Sequence, residues 1–368
     1  MLSFLELKPE SFGLDISDLS LKIIKLKKQR GGFTLASFGE EAIKPGIIKN
    51  GEIKDEEKLA AVIKKAMSKV KGEKISSEYV VASLPEEKSF LQVIEMPRLT
   101  EEDLKSAVIY EAENYIPLPI EEVYLDSQII QPIRNHLDHL DVLIAALPKK
   151  IVDPYVNCFK KSGLKPLSLE IESLSIARSL IKNQTTTAPV ILIDFGATKT
   201  GFIVFSGRSL RFTYSIPVSA QKFTEAISRI LKVDLDVAEK LKIKYGLATK
   251  DEKEGNQVFE ALIPPLIDLI EQIKKGIDYY QTHSFHEHLP SNSRKIEKVL
   301  ICGDGAKLKG LIPFLSEQLK TKVEIGNPWV NILPHTDQPK EELLIYEKEK
   351  SLGYVTALGL ALKGMNTQ

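Results

Sequence analysis

Cysteine is nearly absent: Cys158 and Cys302 are the only two in 368 residues, too few and too far apart for a disulfide framework or a zinc site. No stretch reaches eighteen apolar residues, so no membrane-spanning helix is expected. Excess charge is missing as well. Lys+Arg and Asp+Glu both total 50, the formal net charge is zero, and no block of like charges marks a tail for nucleic acid or an acidic partner. The leading stretch MLSFLELKPESFG carries Glu6 and Lys8 and has no apolar core of signal length. These absences predict an intracellular protein that folds without disulfides and does not bind nucleic acid. What is present is a 43% hydrophobic content, ample for the cores of roughly two to three domains.

The chain repeats itself. LDISDLSLKIIKL (residues 14–26) lies over IDFGATKTGFIVF (193–205) at an offset of 194 − 15 = 179 residues. Each copy has an aliphatic-Asp-apolar start, a run of small or hydroxyl residues, and a second apolar strand. A turn follows (29–32 or 206–208), then a third strand alternating apolar and polar residues, FTLASFG or SLRFTYSI. Both copies then give way to helix. DEEKLAAVIKKAM places Leu59, Val62, Ile63 and Ala66 on one face, and AQKFTEAISRILK does so with Phe223, Ala226, Ile227, Ile230 and Leu231. The chain reads as two related α/β halves.

Two features break that symmetry. Residues 85–164 have their own order: a strand (SFLQVIEM), a helix from Thr100 to Asn114 with a Thr100/Asp103 capping pair, two strands (EEVYLDSQII, LDVLIAAL), and a helix (DPYVNCFKKSG). This is the pattern of an inserted α+β domain. Later comes a long apolar-periodic helix from Phe259 to Ile277, kinked or started at Pro264 and Pro265. After it, KVLICGDGAKLKGL repeats the strand-to-glycine pattern a third time.

At the end of a strand in an α/β sheet, side chains and amides project into the crevice where ligands bind, so Asp15 and Asp194 are placed to hold a hydrated cation. Mg²⁺ on phosphates is the natural candidate. The Gly-Ala-Thr-Lys-Thr run after Asp194 offers backbone N–H groups in a tight hairpin, plus hydroxyl and ammonium donors. Gly303-Asp304-Gly305-Ala306 opens a helix after a strand, and its small residues admit a flat purine ring.

Hairpin, hairpin and purine loop, in that order, resemble the superfamily of actin, heat-shock chaperone and hexokinase ATPases. EAENYIPLPIEEVYLDSQII (111–130), ALPKKIVDPYVNCFKKSGLKPLSLEIESLSIARSL (146–180) and IPVSAQKFTEAISRILKVDLDVAEKLK (216–242) are similar to the PilM family of type IV pilus assembly proteins, relatives of the cell-division actin homologue FtsA. The similarity spans nearly the whole chain, and IPLPIEEVYLD is its most specific phrase. It implies an α/β, actin-like (ribonuclease H-like) two-half ATPase fold with an inserted small α+β subdomain. The implied first subdomain is 1–84 with 165–188 and 350–368, the insertion 85–164, and the second half 189–349.

The resemblance also assigns roles. Asp15 and Asp194 order Mg²⁺ and its waters, Lys22 reaches the phosphates, and Glu172 positions an attacking water. Glu239 and Lys242 contact ribose and adenine, while Gly303, Gly305 and Ala306 form the adenosine loop. With Ser17, Ser20, Gly196, Ala197, Thr198, Lys199, Thr200, Asp304 and Lys307 they make up the expected site for ATP and Mg²⁺. The implied partners are the cytoplasmic N-terminal peptide of PilN, held in a groove between the first subdomain and the insertion, and other inner-membrane pilus assembly components. Contact with the membrane, at its cytoplasmic face, is then only through these partners. The oligomeric state, a homodimer included, is left open.

Three departures touch the site. Ser17 stands where the family has glycine, Asp18 where it has a small hydroxyl facing the phosphate, and Asp304 at the adenosine loop's middle glycine. A carboxylate at Asp18 would repel a γ-phosphate. Nucleotide binding is expected, weakened, with slow or no hydrolysis.

Other readings of the same residues stay open. Asp236 to Glu239 also spells a capping box, and Lys22, Lys25 and Lys27 alternate as on a solvated strand face. His283, His286 and His288 sit near a helix end, and His136 and His139 in a hairpin turn, where solvated histidines are expected rather than metal ligands. A sugar or acetate kinase would need a general base from Asp126, Asp138, Asp141 or Asp153. An FtsA-like filament protein would need a membrane-binding tail, whereas SLGYVTALGLALKGMNTQ is suited to packing inside the first half.

Overall fold

The computed structural model describes residues 9–131, 139–248, 252–283, 295–332 and 348–366. They fall into two compact units, one comprising Met1–Gln184, Pro328–Tyr346 and Tyr354–Gln368, the other Thr185–Asn327 and Glu347–Gly353.

The first unit starts with three antiparallel strands, β1 (Ser11–Ile16), β2 (Ser20–Gln29) and β3 (Gly32–Ala42), and the short hairpin β4 (Ile48–Lys49) and β5 (Glu52–Ile53). Helix α1 (Glu56–Ser68) follows, capped by the Asp55 carboxylate accepting from the Lys58 amide, with Leu59, Ala60, Ile63 and Ala66 buried. After β6 (Lys71–Gly72), strand β7 (Tyr79–Leu84) runs parallel to β1. Between β7 and β11 come β8 (Phe90–Pro97), α2 (Glu101–Ala112), β9 (Val123–Ile129), β10 (His139–Pro148) and α3 (Lys149–Ser162); the three strands form a separate sheet ordered β8-β10-β9 with α2 in its core, whereas α3 joins the core of the main sheet. The Thr100 side chain caps α2 as expected, accepting from the Asp103 amide. Helix α3 begins four residues earlier than the sequence pattern suggests and continues through Pro154. Strand β11 (Lys165–Ile171) pairs parallel with β7, and α4 (Glu172–Leu180) follows it.

The main sheet of this unit has the order β11-β7-β1-β2-β3-β6 and is covered on both faces. Phe12, Leu14, Ile16, Leu21 and Ile23 join a core with residues of α1 and α3. On the other face, Ile24, Leu26 and Leu35 meet helix α10 (Val355–Asn366), which also packs on β1, β7 and α4. This small-residue helix therefore packs inside the first unit, as its composition predicts. Glycine sets the closeness of approach: a Cβ on Gly359 would run into the Ser175 carbonyl, and one on Gly13 into the Ala357 carbonyl. Arg178 reaches across α4 to Glu170 and to the Gly359 carbonyl, forming a buried ion pair at 2.6 Å through Nη1.

In the second unit, β12 (Val190–Phe195), β13 (Thr200–Ser206) and β14 (Ser209–Ile216) repeat the three-strand meander. Then come α5 (Ala220–Leu231), α6 (Leu235–Tyr245), α7 (Lys253–His283), β15 (Lys298–Cys302), α8 (Leu311–Leu319), β16 (Val323–Ile325) and the single turn α9 (Lys348–Ser351). The sheet order is β14-β13-β12-β15-β16, with β15 parallel to β12 and β16 parallel to β15. Set beside β3-β2-β1-β7-β11, it has the same order and the same strand senses. The repeat read from two Asp-ended strands is thus a duplication of a whole five-stranded sheet.

Two local expectations fail here. Ile230 is exposed and Leu231 only partly buried, because the buried stripe of α5 ends with Phe223, Ala226 and Ile227. Helix α7 does not start at Pro264 and Pro265, one of the two alternatives expected there, but runs through both, with Ala261, Leu262, Leu266 and Leu269 all buried around them.

Candidate functional site

In the first unit the candidates gather on the hairpin joining β1 to β2. Asp15 is the penultimate residue of β1, half-buried, with Lys22 its register partner on β2 and Glu40 that of Lys22 on β3. Lys22 is only 6% exposed, so the solvated-face reading does not hold for it. Its ammonium group lies 3.9 Å from Glu40 and 5.6 Å from the centre of the Tyr354 ring. Lys25 is buried too and pairs with Glu10, whereas Lys27 is exposed. Ser17 and Ser20 close the hairpin on each other: the Ser17 amide donates to the Ser20 carbonyl at 2.9 Å, and their hydroxyls lie 3.0 Å apart.

Asp18 departs most from expectation. Its carboxylate accepts from the amides of Asn50 at 2.8 Å and Gly51 at 3.0 Å, in the β4–β5 turn. Both turn residues have positive φ, 50° and 73°, which aims consecutive amides at one acceptor. The carboxylate closes a turn instead of facing a phosphate.

Glu172 opens α4 and is buried. It accepts from the Glu86 amide at 3.4 Å, while Glu86, also buried, accepts from the Ser173 amide at 3.2 Å. Two glutamates thus cap each other's short helical starts, an arrangement the sequence spacing of 86 residues concealed.

In the second unit the Gly196–Thr200 hairpin is tied to the start of α5. The Gly196 and Ala197 carbonyls accept from the Ala220 and Gln221 amides, and the Ser219 hydroxyl caps the helix. The Gly196 amide turns back to the Asp194 and Lys199 carbonyls, both at 3.0 Å. Thr200 is fully buried with its hydroxyl donating to the Val218 carbonyl at 2.6 Å, so it holds the loop in place rather than presenting a donor. Thr198 and Lys199 are half-buried, and Ala197 is exposed.

Glu239 and Lys242, one turn apart on α6, form a pair at 2.7 Å. Lys242 is buried and also donates to Thr224 Oγ1 at 2.7 Å and to the Ala220 carbonyl at 3.0 Å, while Glu239 accepts from the same Thr224 at 2.5 Å. The capping-box alternative fails: α6 begins at Leu235, with Asp234 preceding it, so Asp236 lies inside the helix. Thr224 is a member of this constellation that the sequence reading missed. Its signal was faint, a hydroxyl at one position of an otherwise apolar stripe.

The glycine loop after β15 packs directly on β12. Asp194 and Cys302 are register partners, and a Cβ on Gly303 would lie 2.6 Å from Asp194 Oδ1. A Cβ on Gly305 would strike the Phe195 ring. Glycine at both positions leaves room for the Asp194 carboxylate and the ring beneath it. Asp304 pairs with Lys307 at 2.6 Å and lies against Gly353, so the carboxylate at the loop's middle position is engaged locally. Burial, with the Asp194 charge second, pushes the Cys302 thiol well above its ordinary range and keeps it protonated.

The remaining titratable groups sort by position. His139 begins β10 instead of lying in a turn, with Nε2 3.6 Å from Asp141 and 3.8 Å from Glu95, which is the register partner of Asp141 on β8. His283 stacks on Tyr279 at 4.2 Å, while His136, His286 and His288 lie outside the described residues. Of the kinase-type aspartates, Asp126 accepts from the Ser127 amide and Asp153 from the Tyr124 hydroxyl, and Asp138 is outside the described residues. Among the described residues no helix is long and apolar enough to cross a membrane.

Taken unit by unit, the donor chemistry suits a hydrated divalent cation: Asp15 in the first is half-buried and touched by the Ser83 hydroxyl, and Asp194 in the second is half-buried and touched by the Cys302 thiol, with Gly303 leaving room for its carboxylate.

The family described as "Type IV pilus assembly protein PilM" matches residues 13–365. Cell division protein FtsA of Streptococcus pneumoniae serotype 2 is 24% identical over 357 residues, which is 86% of this chain and 75% of that protein. The FtsA of Neisseria meningitidis serogroup B is 25% identical over 145 residues, 38% of this chain and 35% of its own length. Among solved structures, a PilM-PilN type IV pilus biogenesis complex superposes with a TM-score of 0.80 at 25% identity, over 97% of this chain and 99% of that one. MreB 5 of Spiroplasma citri bound to AMPPNP, at a TM-score of 0.56 and 11% identity over 98% of each chain, shares the fold. The chain belongs to the type IV pilus assembly protein PilM family and has its actin-like fold.

Proposed function

We propose that this protein is a nucleotide-binding scaffold of the type IV pilus machinery that docks the cytoplasmic N-terminal peptide of a PilN-type inner-membrane protein. The observation that carries the reading is the likeness to a PilM-PilN complex over 97% of the chain, insertion included. The insertion, residues 85–164, forms one wall of the peptide groove and the β1–β7 sheet the other. A peptide laid in a groove gains affinity through main-chain hydrogen bonds and side-chain pockets. Work at the cytoplasmic face of the inner membrane follows from such a partner.

MgATP is the nucleotide in this reading. Asp15 and Asp194 hold the hydrated Mg²⁺, whose charge offsets that of the phosphates. Gly196 to Lys199 and Lys22 face the phosphates, and Glu239 and Lys242 the ribose and adenine beside the Gly303–Ala306 loop. Glu172 supports slow hydrolysis at most, since its carboxylate already accepts from the Glu86 amide.

Fluorescence anisotropy with a labelled PilN N-terminal peptide from the same genome tests the docking. Saturable one-to-one binding is expected. A folded protein with no saturable binding would overturn the reading.

A further inference from the structure

The two Asp-bearing strands share a feature that the sequence repeat does not show. In each sheet the strand running parallel to them places one small donor beside the carboxylate. In the first, the β1–β7 register that pairs Leu14 with Ala82 brings Ser83 alongside Asp15, and the Ser83 hydroxyl donates to Asp15 Oδ1 at 2.9 Å. The Ser83 hydroxyl oxygen in turn accepts from the Ile16 amide at 2.9 Å, which fixes the direction of the hydroxyl hydrogen. In the second, Cys302 is the register partner of Asp194, and its thiol donates to Asp194 Oδ1 at 3.7 Å. Ser83 and Cys302 are both fully buried.

A cation-binding carboxylate needs its rotamer fixed without losing its charge. A neutral donor orients it and leaves the charge in place. Both repeats supply such a neutral donor from equivalent positions, near the ends of β7 and β15, with different chemistry, and in the first Lys22 also lies beside Asp15 on β2.

We propose that Ser83 and Cys302 are equivalent positioning residues, one per repeat, that hold Asp15 and Asp194 in the orientation that receives Mg²⁺. The inference rests on reading Asp15 and Asp194 as the cation-holding carboxylates. The hydroxyl is the stronger donor and has a second anchor in Ile16, so Asp15 is held more firmly than Asp194.

The test is calorimetric titration with ATP, in excess Mg²⁺ and separately in EDTA, and its readout is the ratio of the two affinities. A merely structural residue alters both affinities together and leaves the ratio unchanged. Ser83→Ala is expected to lower the ratio about 10-fold or more, the usual scale for partners of metal-holding groups. Cys302→Ala should lower it less, and Cys302→Ser should keep or raise it. Ser83→Cys, which retains a donor and guards against misfolding of the alanine variant, should fall between wild type and Ser83→Ala. If the wild type shows Mg²⁺-dependent binding that Asp194→Ala removes, yet all four variants keep the wild-type ratio within about twofold, the inference is overturned and the reading of the site survives. A wild type with no Mg²⁺-dependent binding overturns both.

Discussion

The Gly51 amide donates to the Asp18 carboxylate at 3.0 Å, across 33 residues of sequence, and the Asn50 amide beside it does the same at 2.8 Å. Read from the sequence, Asp18 repels a phosphate. Within the fold it is the acceptor that closes a turn with two positive-φ residues. Asp18→Ala should therefore lower stability by about 1–2 kcal/mol, the cost of two hydrogen bonds to a partly exposed carboxylate. It should not tighten ATP binding. Urea denaturation beside an ATP titration checks both, and markedly tighter binding in the variant would restore the repulsion reading.

A second prediction concerns the α4–α10 contact. Arg178 and Glu170 are buried together, and Arg178 also donates to the Gly359 carbonyl on α10. Removing the guanidinium leaves a carboxylate buried without its counter-charge. Arg178→Met should cost about 3–5 kcal/mol. Adding Glu170→Met should recover much of that loss, because the uncompensated charge is then gone. Melting temperatures of the single and double variants decide; a double variant less stable than Arg178→Met would refute the account.

The two thiols give a prediction in pH. Burial, with the Glu56 charge second, pushes Cys158 from 9.0 up to about 12, and burial pushes Cys302 up as well. A raised folded-state pKa favours the protonated form in the native protein. The associated stability is fully present below about pH 9 and is lost as pH rises from there toward 12. Native protein at about pH 8 should thus leave both thiols unreactive toward dithiobis(nitrobenzoate), and unfolding should expose two. The urea midpoint should fall between about pH 8 and pH 10, and fall less in Cys158→Ala.

Much of the fold was legible because the duplicated part is local. Strand, hairpin and strand around Asp15 and Asp194 carry period-2 patterns within a few residues. The five-strand duplication was only partly visible, because β7 and β15 join their sheets after intervening segments of different length and kind. Small residues in α10 announced close packing, and Gly359 against Ser175 delivers it.

Side-chain direction was not legible in the site. Thr200 and Ser17 have the composition of phosphate donors, yet one hydroxyl is bonded to Val218 and the other to Ser20. Ser83 lies 68 residues from Asp15, and Thr224 18 from Lys242, so only the fold brings these pairs together. Register and helix phase decide such contacts, and a single sequence does not fix either across long separations.

We propose in addition that docking of the PilN-type peptide is coupled to nucleotide. A ligand shifts such an equilibrium only through a difference in affinity between states. The most direct measurement is calorimetric titration of the whole chain with the PilN N-terminal peptide, without nucleotide and with saturating MgATP. The account predicts one-to-one binding in both, with dissociation constants that differ by at least about fivefold, the lower end of ordinary coupling. Identical constants under demonstrated MgATP saturation would contradict it.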